Sequence, residues 1–136
     1  MVEEISLKPM GRDEIHKLET ALLLGTLFSS KVLELLKNPD ERLTWVDSLA
    51  VAAGAIAREK AGMTVSQIAE DLGRSEATIR NHLKGKTKAG ELVTETYNRF
   101  VKEGVKIEFE NVSELREKIQ AIKEKLKEVI EELDKI

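Results

Sequence analysis

Four polar side chains and one methyl group fall within nine residues: Glu76, Ala77, Arg80, Asn81 and Lys84. At helical spacing these positions share one face. Their chemistry is that of reading base edges. Arg80 matches guanine in a bidentate pair and Asn81 matches adenine. Ala77 suits a thymine methyl, and Glu76 can accept from a cytosine amine. Glu76 would also repel phosphate, which favours a selective reader over a general coater. Around this face lie Thr64, Ser66, Gln67, Arg74, Ser75, Thr78, Lys86 and Lys88. Short donors near helix N-termini hold phosphates, and lysines add salt-dependent affinity. For Thr64 and Ser75 a capping role alone is the competing reading, and it does not preclude a phosphate contact. His82 packs or meets a phosphate, and nothing in its surroundings makes it a base.

The positioning elements are legible around these residues. Thr64 is a good N-cap, and Gln67 three residues later completes a capping box. Ile68, Ala69 and Leu72 make one apolar face of a short helix. Gly73 then supplies a positive φ, and Ser75 caps a second helix whose Ile79 and Leu83 turn inward. Two short helices, a glycine turn and a small Ala69 at their crossing describe a helix-turn-helix. The run IAEDLGRSEATIRNHL resembles the helix-turn-helix of transcription regulators of the LuxR and sigma-factor region 4 type. The longer run from residue 62 to 100, including GKTKAGELVTETYNRF, is similar to a small archaeal regulatory domain encoded beside KaiC-like ATPases. Two departures stand out. Arg74 occupies a turn position that is often small and apolar, and residues 85–90 interrupt the chain where LuxR-type domains run directly into another helix.

The whole chain has 136 residues and a formal net charge of −3. That length suits one domain with an appendage. The charge is unevenly spread. Residues 58–102 carry nine basic and six acidic side chains, whereas the flanking parts are each acidic by three. The positive charge therefore gathers on the candidate reading head. With no cysteine, disulfide and thiol chemistry are excluded. The two histidines, His16 and His82, have no metal-ligand spacing. There is no glycine-rich phosphate loop and no nucleophile motif. A non-enzyme without metal or cofactor is expected. The N-terminus lacks a signal-peptide pattern, and the longest apolar run, residues 49–57, is too short to cross a bilayer. The expected location is cytoplasmic, with no membrane.

The remaining elements frame the head. Residues 2–9 read as a short strand or extended arm. Residues 12–37 read as one apolar helix with candidate kinks at Gly25 and at Ser29-Ser30. Asn38 and Pro39 read as the cap and first position of a helix running to residue 60, its face made by Leu43, Val46, Ala50, Ala53 and Ala57. Trp45 is expected in the core or an interface. Residues 85–90 read as a basic loop, residues 89–103 as a helix, and residues 105–110 as a half-buried strand by their strict alternation. Val112, Leu115, Ile119, Ile122, Leu126, Val129, Leu133 and Ile136 recur at steps of 3 and 4. That is an a/d heptad seam. It pairs with a second copy or packs back on the first helix, and its all-apolar core leaves parallel and antiparallel open.

The expected fold is mainly α: a helical domain with a three-helix helix-turn-helix unit, a short β-strand and a C-terminal coiled-coil-like helix. Its segments are an N-terminal arm and apolar helix (1–39), the helix-turn-helix unit (40–103), and the strand with its association helix (104–136). The expected function is sequence-specific binding of double-stranded DNA by a homodimer. The alternative is a protein-interaction adaptor that docks on a partner such as an ATPase.

Overall fold

The computed structural model describes residues 5–106 and 112–135. Seven helices follow one another: α1 (Arg12–Leu27), α2 (Ser30–Leu35), α3 (Arg42–Lys60), α4 (Val65–Leu72), α5 (Glu76–Leu83), α6 (Lys88–Glu103) and α7 (Val112–Asp134). Helix α3 is the axis of the bundle and touches α1, α4, α5 and α6. Its residues from Val51 to Arg58 are buried all round, and most of them are small. A helix buried on every side admits close neighbours only where its side chains are short. Ile15, Leu18, Ala21 and Leu22 of α1 meet Leu49, Ala53 and Ile56 of α3 and Leu92, Val93 and Phe100 of α6 in one core. Gly25 marks a close crossing of α1 and α6, since a Cβ there would lie 3.0 Å from both Phe100 and Thr96 side chains. Beside it the buried hydroxyls of Thr26 and Thr96 hydrogen-bond at 2.7 Å.

Three expectations need correction. The first concerns residues 12–37, which form two helices. Ser29 leaves helical geometry at φ −70, ψ 149 and caps α2 by accepting from the Val32 amide. Its hydroxyl also donates to the Thr26 carbonyl at 2.8 Å, closing the end of α1.

The second concerns the start of α3. Asn38 does not cap it. Its Oδ1 accepts from the Asp40 amide at 3.1 Å, a local turn, and α3 begins only at Arg42. Leu43, expected on the inner face, stands in this first turn and is 82% exposed. Trp45 is half-buried against the core as expected.

The third is the β-strand. Among the described residues there is none. Gly104, at φ 83, ends α6; Val105 lies in a bend with its side chain on the core, and Lys106 is irregular. Residues 107–110 of that expectation lie outside the described residues. Alternation supplies a strand with faces, but a strand also needs an edge to bond to. The N-terminal arm does not offer one: Ile5 and Leu7 pack on the core, and the Leu7 carbonyl accepts from the Tyr97 hydroxyl at 2.9 Å.

Candidate nucleic-acid interface

The candidate head is assembled from its caps outward. The Thr64 hydroxyl accepts from the Gln67 amide at 3.2 Å, and the Gln67 side chain returns the bond to the Thr64 amide at 2.9 Å. Gly73 takes the left-handed conformation, φ 66 and ψ 38, where a side chain would be strained. The Arg74 amide then reaches back to the Ala69 carbonyl. Ser75 caps α5 by accepting from the Thr78 amide at 3.1 Å. Ile68, Ala69 and Ile79 close on Val51 and Ala55 of α3 in a second, smaller core, with Leu72 and Leu83 at its edge. Burial of these faces fixes which side of α5 remains outside.

That outer side carries Glu76, Ala77, Arg80, Asn81 and Lys84, all exposed. Arg80 and Glu76 approach to 3.8 Å one turn apart, a weak pair in water. The exposed Ser66, Gln67, Ser75, Lys86 and Lys88 surround this face, with Thr64 exposed and Thr78 half-buried. Gln67 and Thr78 already belong to the cap networks. Lys88 lies 4.0 Å from Glu91. Arg74 is drawn away from the front: its guanidinium donates to Asp47 of α3 at 3.1 Å and to the Leu72 and Gly73 carbonyls. This explains how an arginine stands where the turn is usually apolar, because it staples the turn to α3. The segment expected as a loop over 85–90 is shorter. Gly85, at φ 70, and the bond from the Lys86 amide to the Asn81 carbonyl turn the chain sharply, and α6 starts at Lys88.

Two features hold α5 at the back. A Cβ on Gly90 would meet the His82 carbonyl and come within 2.8 Å of its Cα, so α5 and α6 cross at backbone contact. His82 is buried, and its Nδ1 lies 2.6 Å from the Thr87 hydroxyl, which also caps α6. Burial pushes the imidazole pKa below its ordinary value. His82 is therefore a packing residue of this crossing.

Helix α4 is held by a group that sequence reasoning placed only in a charge count. Arg58 is buried in α3. Its guanidinium donates to Asp71 of α4 at 2.5 Å, to Glu19 of α1 at 2.8 Å and to the Gly54 carbonyl at 3.0 Å. Arg12 adds two bonds of 3.3 Å to Asp71. Burial opposes the Arg58 charge, but its bonds to Asp71 and Glu19 outweigh that and raise its pKa. Hydrogen bonds from Arg58 and then Arg12 hold the Asp71 carboxyl below its usual value. Helices α1, α3 and α4 thus share one ionic knot. One signal could have exposed it: Glu19 sits beside Leu18 and Leu22 on an otherwise apolar face.

The heptad face expected to mediate association lies on α7, outside this head. Ile119, Ile122, Leu126, Val129 and Leu133 of α7 are all exposed, from 46% to 62%. Val112 and Leu115 belong to the same helix by sequence, and Ile136 lies outside the described residues. Among the described residues no three His, Asp or Glu side chains converge as a metal would require, and no helix is long and apolar enough to cross a membrane.

The chain is 54% identical over 132 residues to the uncharacterized protein MJ1053 of Methanocaldococcus jannaschii, a match covering 97% of this chain and 75% of that protein. The chain belongs to the MJ1053 family. No family model matches the sequence, and no solved structure matches it. Because the MJ1053 match spans nearly the whole chain, the α4–α5 head and the α7 seam both fall within it.

Proposed function

We propose that this member of the MJ1053 family is a cytoplasmic, sequence-specific DNA-binding regulator of the helix-turn-helix kind, acting as a dimer. One observation carries the reading: α5 is clamped from behind by Ile79, His82 and the Gly90 crossing, while Arg80, Asn81 and Lys84 are exposed together on its front. A helix so presented enters a major groove with its N-terminal residues nearest the base edges. Thr64, Ser66, Ser75, Lys86 and Lys88 flank it where phosphates would pass. The exposed heptad seam of α7 gives the dimer its means of association.

Two heads on a twofold axis demand an inverted repeat, with half-site centres roughly 34–36 Å apart or a multiple of that. Selection of binding sites from random DNA with the full chain is the test. An inverted repeat is expected, and its preference should vanish in the Ile122→Glu, Val129→Glu double variant while weak non-specific binding stays. An asymmetric single box for the parent chain would refute the twofold arrangement. Absence of any DNA binding at low salt would leave the α5 face as a protein-docking surface.

A further inference from the structure

We infer that α7 pairs with α7 of a second copy in antiparallel orientation; the inference rests on the dimeric reading above and fixes its geometry. The heptad places Ile119, Leu126 and Leu133 at a, and Ile122 and Val129 at d. The seam is flanked at e by Arg116, Lys123 and Ile130, and at g by Lys118, Lys125 and Glu132. All are exposed. The first two heptads are thus edged only by cations, and the last by an aliphatic residue and an acid.

In a parallel pair each g residue faces the e residue of the partner's next heptad. Lys118 then meets Lys123 of the second copy on both sides, Lys125 meets Ile130, and no opposite charges meet across the described seam. In an antiparallel pair g faces g and e faces e. With the twofold axis at residue 124, Ile119 layers on Val129 and Ile122 on Leu126, so every a position meets a d. Lys118 now faces Glu132 of the second copy twice. Arg116 lies along Ile130, where its aliphatic stem covers the extra apolar side chain. Like charges remain only at Lys123 and Lys125, each facing its own copy near the axis in open solvent. Glu132 already pairs with Lys135 at 3.6 Å and Lys118 has an interaction within its own chain, but all three side chains are exposed, so Lys118 and Glu132 can each meet a second charge. The two arrangements bury similar apolar seams, so the flanking charges choose between them.

The orientation has a consequence for the heads. In the antiparallel pair the N-terminal ends of the two 23-residue helices stand roughly 35 Å apart, at 1.5 Å per residue. A parallel pair would bring them side by side. Antiparallel pairing therefore separates the two points at which the chains enter the pair by about one DNA turn.

Sedimentation equilibrium of the full chain distinguishes the two orientations by sign. Lys118→Glu should weaken the antiparallel dimer about three- to tenfold, Glu132→Lys should do the same, and the double exchange should restore it. In a parallel dimer Lys118→Glu would instead tighten association by meeting Lys123, and Glu132→Lys would have no facing residue. The native chain has no cysteine, so single replacements report contact directly. Ile119→Cys mixed with Val129→Cys should give a mixed disulfide, and Ile119→Cys alone should not. A homodisulfide of Ile119→Cys, or a tightened Lys118→Glu dimer, overturns the antiparallel geometry and leaves the dimer standing. A monomeric parent chain overturns both the orientation and the dimer.

Discussion

Removing Asp71 tests whether the ionic knot seats the head on the bundle. In Asp71→Ala the buried Arg58, 4% exposed, keeps Glu19 and the Gly54 carbonyl but loses its shortest partner, and Arg12 loses both of its bonds. A buried donor left without an acceptor costs about 1–3 kcal/mol, and breaking a buried ion pair costs about 3–5 kcal/mol. The Asp71 side chain is 20% exposed and Glu19 stays, so the lower range applies, about 2 kcal/mol. For a chain of this size that lowers the melting midpoint by roughly 7 °C. Arg58→Met should cost less, about 1 kcal/mol, because the two carboxylates it strands reach water while a methionine fills the buried site. The sign of the pH dependence follows from Asp71. Its pKa is lowered in the fold, so its contribution is complete above the ordinary carboxylate value of about 3.9 and is lost as pH falls through the lower folded value. Urea denaturation followed by circular dichroism should therefore show a parent-to-variant gap that is constant between about pH 5 and 7 and closes below about pH 4. A gap under about 0.5 kcal/mol at neutral pH, or one that widens in acid, would refute the role assigned to the knot.

Gly90→Ala should cost about 3 kcal/mol, the upper end for overpacking, because the His82 backbone it meets cannot swing aside, and thermal melts of the variant report it. His82 has a lowered pKa, so the folded state resists its protonation, and stability should fall as pH drops from about 6.5 toward that lower value. His82→Gln should flatten this slope in denaturation midpoints measured across the range. Arg80→Ala should cost about 1–3 kcal/mol on the best site and relax preference at one base pair, whereas Lys86→Ala should weaken all sequences alike and flatten the salt slope by about one. Equal, sequence-independent losses in gel-shift titrations would make Arg80 a phosphate contact only.

The signals that read correctly from sequence are those whose physics is local. The Thr64–Gln67 box, the positive φ of Gly73 and the Ser75 cap all lie at the expected residues, because each depends on a few neighbours in sequence. The break at Ser29 was half legible. Serine can cap or continue a helix, and only the fold shows Ser29 leaving helical geometry to cap α2. Of the strand expected over 105–110, the described residues 105 and 106 are not extended in a ladder, since alternation says nothing of an edge to bond to. Asn38-Pro39 misled for a related reason: the asparagine satisfies a turn amide two residues on instead of a helix end. Arg58 was invisible as a buried group because its burial exists only where α1, α3 and α4 converge. The Gly90–His82 crossing likewise depends on a backbone approach that no one-dimensional pattern records.

The fate of Arg58 and Arg74 changes what the charge excess of residues 58–102 means. Both belong to its nine basic side chains, yet one is sealed in the ionic knot and the other bonds to Asp47 and the turn carbonyls. Near the α5 face this leaves Arg80, Lys84, Lys86 and Lys88, with Glu76 opposing them. A head that neutralises so few phosphates gains little non-specific affinity, since each contact contributes a salt slope of only about 0.9. Under the DNA-binding reading, one head alone would hold duplex weakly and depend on base contacts for its residence. Doubling the heads doubles both terms without adding charge to either. Under that reading the sparse electrostatics of α4–α5 and the exposed seam of α7 answer one physical requirement: a selective reader with a weak grip must be tethered to a second one.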